Sequence, residues 1–218
     1  MSAVLLAAGE SSRMGDLKAL LAWGGRPLIA YQAEQLLAAN VERLVVVLGH
    51  RAAELRPYVP REQRAVAVEN TAYRTGKVSS IVAGVAAAPA GHHVLILAVD
   101  QPRPAGLIAR SIEAHLQAGA PITIAGYRGR RGHPVVFAPH LRPELLSIDE
   151  ATQGLRAVLR LHAARVHVVD TDSPLALVNL NTREDYESAR RLAGASASDF
   201  TSSTSRARAG NQWTNRFS

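Results

Sequence analysis

The chain has 218 residues, a formal charge of +7, no cysteine, and aromatic side chains at only 5% of positions. Disulfide scaffolds, thiolate metal centres and cysteine nucleophiles are thereby excluded, and the length suits one domain with a substantial core. The basic residues are scattered and stacking platforms are scarce, so anionic small molecules are the expected partners and nucleic acid is not; no apolar run reaches the ~20 residues of a membrane helix, so no membrane partner and a cytoplasmic location are expected.

The chain alternates short apolar strands with amphipathic helices. Ala3–Ala7 reads as a buried first strand, followed by a polar loop to about Leu17. The spacing of Leu28, Tyr31, Ala33, Leu36 and Leu37 predicts a helix over Pro27–Ala39, with proline in the first turn and Asn40 at the end. Arg43–Leu48 and Ala65–Val68 read as strands, Val78–Ala88 as a helix, and His93–Ala98 as a fourth buried strand running into Val99-Asp100-Gln101-Pro102. Pro104–Ala118 is expected as a helix, Pro121–Ala125 and Pro134–Ala138 as strands, Ala151–Leu161 as a helix and Val166–Val169 as a strand. Thr182–Leu192 is the last expected helix, with Thr182 as N-cap and Asp185 three positions on. From residue 194 to 218 the composition turns to Ser, Thr, Ala, Gly and Arg without periodicity, which predicts a disordered tail behind a domain over residues 1–193.

Continuous apolar strands alternating with helices imply an α/β sandwich around a mostly parallel sheet covered on both faces. Ligands in such folds bind beyond the carboxyl ends of the strands. That directs attention to the loop after Ala7, the segment after Leu48 and the Asp100 turn.

The first loop, Leu6–Lys18, reads LAAGESSRMGDLK. Leu6, Ala7, Ala8 and Gly9 bring the strand end and its small residues close enough for amides to approach an anion, and Ser11 and Ser12 add hydroxyl donors. Arg13 adds a planar fork for phosphate oxygens and Lys18 a point charge. The Walker and dinucleotide glycine patterns are both absent. Asp100, at a strand end after four aliphatic residues, is suited either to holding Mg²⁺ or to capping the helix after Pro104. His133, in Gly132-His133-Pro134, is either a structural edge histidine or a contact for an anionic substrate. The remaining histidines lack the spacing of a zinc site.

LAAG-x-S-x-R-M-G-x-x-K followed by Gly25-Arg26-Pro27-Leu28-Ile29 resembles the signature of the MobA-like nucleotidyltransferases, and is most similar to the molybdenum cofactor cytidylyltransferases. The resemblance implies a Rossmann-like three-layer sandwich of the nucleotide-diphospho-sugar transferase type. It implies a triphosphate held by the first loop, with Arg13, Lys18 and Asp100 as catalytic residues and Mg²⁺ held by Asp100. Asn70, Gly76 and Ser80, in NTAYRTGKVSSIVAGV, match a family segment near the nucleobase, and Gly132 and His133 match a G-H-P element near the acceptor. Relatives carry aspartates where this chain has Asn179 and Asn181, so Asn181 is the expected weaker second metal contact. Ala8, in LAAG rather than LAGG, favours CTP over GTP as donor. The implied acceptor is molybdopterin, with a molybdoenzyme as recipient of the product. The alternatives are a guanylyl or sugar-phosphate nucleotidyltransferase of the same fold, or a non-enzymatic cofactor-delivery chaperone.

Overall fold

A computed structural model describes residues 1–10, 17–151 and 153–194. In chain order the strands are β1 (Ser2–Ala7), β2 (Ala22–Trp23), β3 (Arg26–Pro27), β4 (Arg43–Leu48), β5 (Ala65–Glu69), β6 (Val94–Ala98), β7 (Ile122–Tyr127), β8 (Arg130–Phe137) and β9 (Val166–Asp170). The helices are α1 (Leu28–Ala38), α2 (Ala52–Leu55), α3 (Lys77–Ala87), α4 (Ala105–Ala118), α5 (Arg142–Leu146), α6 (Leu155–Leu161) and α7 (183–194).

Seven strands form one sheet in the order β5-β4-β1-β6-β8-β7-β9, and β2 pairs with β3 in a separate small ribbon. β1, β4, β5 and β6 run parallel to one another, and β9 runs parallel to β7. β8 alone is antiparallel, slotted between β6 and β7. It turns back from β7 through Arg128 and Gly129, both at positive φ, as a tight hairpin requires.

Alternation along the central strands distributes the core. Ala3, Leu5 and Ala7 of β1, with Leu44, Val46 and Leu48 of β4, face Ile29, Leu36 and Ile108 of α1 and α4. Val4, Leu6 and Ala8, with Val45 and Val47, face Ile81, Val85, Leu145 and Val158 of α3, α5 and α6. Each strand is therefore buried on both faces, and this is why it reads as an unbroken apolar run. The result is the expected three-layer sandwich.

α7 begins with the expected reciprocal cap. The Asp185 N–H donates to Thr182 Oγ1 at 3.1 Å and the Thr182 N–H donates to Asp185 Oδ2 at 2.9 Å. The helix docks Tyr186 and Ala189 onto Trp23, Leu28 and Leu180, and the Tyr186 hydroxyl donates to the Ala22 carbonyl. The tail expected from residue 194 lies, after Gly194, outside the described residues. No helix among the described residues is long and apolar enough to cross a membrane.

Candidate active site

β1 and β6 are neighbours at the centre of the sheet, and a cavity of about 290 Å³ opens at their carboxyl ends. Leu6 lines it from β1, Ala8 and Gly9 from the chain just after β1, Asp100 from the turn after β6, and Gly76 and Ser80 from the start of α3. Lys18 reaches the same cavity, with its Nζ 3.6 Å from Asp100 Oδ2. The lysine and the carboxylate, far apart in sequence, thus meet at one lip. Ser11, Ser12 and Arg13 lie outside the described residues.

Three expected residues sit elsewhere. Ala7 does not line the cavity: strand alternation turns its side chain into the opposite core layer. Asn70 is buried, and its amide is spent on its own loop. Nδ2 donates to the hydroxyls of Ser79 and Ser80 at 2.9 and 3.0 Å, and Oδ1 accepts from the Ala72 N–H at 3.0 Å. This is a side-chain turn that orders the approach to α3. Asn181 opens onto a different hollow, beside Asp185 and Ser188. Its neighbour Leu180 contacts the Asp100 carbonyl through a main-chain bond of 2.8 Å. Asn179 accepts from the Gln101 amide at 2.8 Å, which makes it a brace for the Asp100 turn.

A second cavity, of about 710 Å³, lies next to the first. Gly132 and His133 line it, together with Lys77, Arg131, Glu150 and Arg156 over an apolar floor that includes Phe137 and Leu159. A narrow neck lined by Leu6, Ala98, Gln101 and His133 separates the two cavities, and Lys77 lines both and the neck between them.

Lys77 and Glu150 carry no expectation above. A lysine in the first turn of a helix opposes the macrodipole, and that misplacement is the signal for Lys77. Glu150 Oε1 accepts the Val78 N–H at 2.8 Å, giving the start of α3 the anion it favours. Gly76, at φ +126°, makes room for this, since an added Cβ would fall 2.0 Å from Glu150 Oε1.

Residues 3–168 match the MobA-like NTP transferase domain. This chain belongs to the MobA-like NTP transferase family. Its relatives include the nicotine blue oxidoreductase of Paenarthrobacter nicotinovorans, 33% identical over 88% of this chain and 94% of that protein. The molybdenum cofactor guanylyltransferase of Cereibacter sphaeroides is 32% identical over 87% of this chain and 95% of that one. The Escherichia coli molybdenum cofactor cytidylyltransferase is 24% identical over 86% and 94%. Among solved structures, a nucleotidyl transferase from Methanothermobacter thermautotroptrophicus superposes with a TM-score of 0.75 at 27% identity, covering 87% of this chain and 95% of that one.

In this MobA-like nucleotidyltransferase the electrostatics differ between the two cavities. Burial, reinforced by the positive charges of Arg103 and Lys77, pushes the His133 pKa down to about 3. His133 is therefore neutral at physiological pH, and its Nδ1 is buried without a hydrogen-bond partner among the described residues. It can make a hydrogen bond to a ligand but holds no proton charge. On the other side, Asp100 offers one carboxylate to the first cavity. No group of three or more His, Asp or Glu residues that could hold a metal occurs among the described residues. That donor set fits Mg²⁺ arriving on substrate phosphates, since the ion commonly combines one or two carboxylates with phosphate oxygens and water. It does not fit a resident metal cage.

Proposed function

We propose that the protein transfers an NMP unit from a nucleoside triphosphate, with CTP as the preferred donor, to the phosphate of a molybdopterin-type acceptor. The observation that carries this reading is the pairing of cavities: Lys18 and Asp100 at the lip of the smaller one, and a larger cationic one joined to it at Lys77. The names of the cytidylyl and guanylyl relatives supply the acceptor class, and Ala8 beside the smaller cavity supplies the preference for CTP.

In this reading the triphosphate lies over the Ala8–Gly9 amides, with Lys18 and Arg13 on its phosphates and Asp100 facing them. Gly76 and Ser80 contact the nucleoside side. Mg²⁺, held by Asp100 and phosphate oxygens, supplies charge neutralisation when bound. An oxygen of the acceptor phosphate attacks the α-phosphorus, the bond to the β-phosphate oxygen breaks, and pyrophosphate leaves. The acceptor phosphate is ionised at neutral pH, so no general base is required, and the neutral His133 serves to orient. Catalysis is then positioning plus stabilisation of charge on the leaving group.

The test is pyrophosphate release by the purified chain with each NTP, Mg²⁺ and a molybdopterin-type acceptor. CTP-dependent release is the expected result, and no release with any donor and acceptor refutes the transferase reading. The oxidoreductase name of one relative defines a competing outcome, oxidation of NADH or NADPH by a coloured acceptor without pyrophosphate. A delivery chaperone would keep its delivery function in Lys18→Ala and Asp100→Ala, whereas the transferase loses turnover in both.

A further inference from the structure

Arg103 follows the Asp100-Gln101-Pro102 turn, and its side chain is fully buried, the largest such side chain among the described residues. The hydrogen bonds of its guanidinium among the described residues all go to main-chain carbonyls. Nε donates to His133 at 3.0 Å, Nη1 to Pro102 at 3.0 Å, and Nη2 to Ala176 and Val178 at 2.9 and 2.8 Å. A cation buried against carbonyls alone is costly to keep. The geometry explains why it is there. Carbonyls from three separate segments converge on one point, and only a planar group with five donors can meet them; an amide has two donors and an ammonium presents three from one atom.

The first two segments line the cavities, and the third backs the second. The first is the Asp100 turn itself. Its main chain is fixed further by Gln32, whose Oε1 accepts the Arg103 N–H at 3.0 Å and whose Nε2 donates to the Ala98 and Gln101 carbonyls. The second is the start of β8, where His133 and Gly132 line the larger cavity. The third is the turn Pro174–Leu177 with Val178. The second and third touch directly, because a Cβ on Gly132 would fall 2.1 Å from the Ala176 carbonyl oxygen, the oxygen that Arg103 also binds. Burial draws the Arg103 pKa down to about 9, with the Asp100 charge acting in the opposite direction, so the group keeps its charge at neutral pH.

We propose that Arg103 is a positioning residue for the acceptor: by holding the His133 carbonyl and the 176–178 main chain, it sets the wall of the larger cavity in register with Asp100. The inference rests on the reading of that cavity as the acceptor site. Arg103 touches neither cavity, so its effect is exerted through His133 and separates the two substrates. Loss of the fork frees the His133 and 176–178 carbonyls, whereas the Asp100 turn that lines the smaller cavity is still held by Gln32 through the Arg103 N–H and the Ala98 and Gln101 carbonyls.

The experiment uses the full chain and Arg103→Lys, which keeps the charge and loses the fork. Acceptor KM is expected to rise about 10-fold or more, within the ~10²-fold that a misplacement of about 1 Å can produce. Binding of Mg-CTP without acceptor, read by thermal protection, stays within about twofold. An unchanged acceptor KM, or a parallel loss for both substrates, overturns the proposal. Should the variant fail to fold, the wild-type protein decides. In arginine-selective ¹⁵N NMR, a pterin monophosphate is expected to shift the Arg103 Nε–H resonance, and a resonance unmoved at saturation overturns the proposal. Absence of pyrophosphate release by the wild type would remove the transferase reading, while the resonance would still judge the link between Arg103 and the cavity.

Discussion

Gly132→Ala places a methyl group where the structure has a carbonyl. The added carbon would lie 2.1 Å from the Ala176 oxygen and 2.7 Å from its carbon, against an ordinary contact of 3.4 Å or more. Either β8 or the 174–178 turn must yield by roughly 1 Å, and overpacking of this kind costs about 1–3 kcal/mol. The same movement withdraws the Ala176 oxygen from Arg103 Nη2, a charged hydrogen bond of 2.9 Å, whose loss adds about 1.5–3 kcal/mol. The total, about 2.5–6 kcal/mol, translates for a chain of this size into a fall in Tm of roughly 5–24 °C. A thermal melt followed by circular dichroism, with urea midpoints alongside, measures it. Gly106→Ala is the internal control: the position is exposed in α4 with nothing within 4 Å of the new methyl. There the same substitution should stabilise, by up to about 1 kcal/mol from helix propensity. A Gly132→Ala melt within about 2 °C of wild type, or a change equal to that of the control, would refute the close-packing argument.

Asp100→Asn and Lys18→Ala should each lower the rate of pyrophosphate release about 100-fold or more while leaving the far-ultraviolet spectrum unchanged; either variant retaining wild-type turnover contradicts the site. Ala8→Gly removes a buried methyl beside the cavity proposed for the nucleotide, and should move the CTP-to-GTP ratio of kcat/KM about 10-fold toward GTP, since one methyl is worth about 10–200-fold in discrimination. A ratio unchanged with turnover intact would remove Ala8 from donor choice. His115 is 1% exposed and bonded to His93 and Thr123, and burial, then the charges of His93 and His167, lower its pKa to about 4. Above the unfolded value near 6.5 both states are neutral; as pH falls below it, the unfolded chain takes up a proton that the folded chain refuses, so stability is lost, by about 2 kcal/mol at pH 5. Urea melts from pH 7.5 to 5 should show that loss on top of a similar one from His133, whose pKa is drawn down to about 3, and His115→Asn should remove about 2 kcal/mol of the total; an unaltered slope refutes the assignment.

Local pattern made much of the fold legible. Strands buried on both faces announce themselves as apolar runs, and the Thr182/Asp185 cap forms as its spacing requires. The order of the strands was not legible, because β8 inserts antiparallel between β6 and β7, and nothing in an isolated run of Val and Phe records its neighbours. The site divides in the same way. Ala8, Gly9 and Asp100 sit at strand ends, so a motif and a strand boundary suffice to find them. Asn70 could have been read differently, since an asparagine two residues before a free amide commonly turns back on its own loop. Arg103 could not: the His133, Ala176 and Val178 carbonyls that explain it come from segments 30 to 75 residues away in sequence.

The two cavities also pose an electrostatic problem whose solution is visible in α3. On the proposed reading a triphosphate and an acceptor phosphate, which repel each other, would meet at the neck. The helix that borders the neck would ordinarily begin with an acidic residue, which would worsen the repulsion. Here the first residue is Lys77, facing both cavities, and the anion that the helix start requires comes from Glu150, far along the chain, through the Val78 N–H. An unfavourable dipole contact of about 0.3–1 kcal/mol at Lys77 is thus offset within the same turn. The cation is left at the place where the proposed reading brings the two anionic substrates together, and Gly76 lets the carboxylate approach the helix start closely enough for that offset.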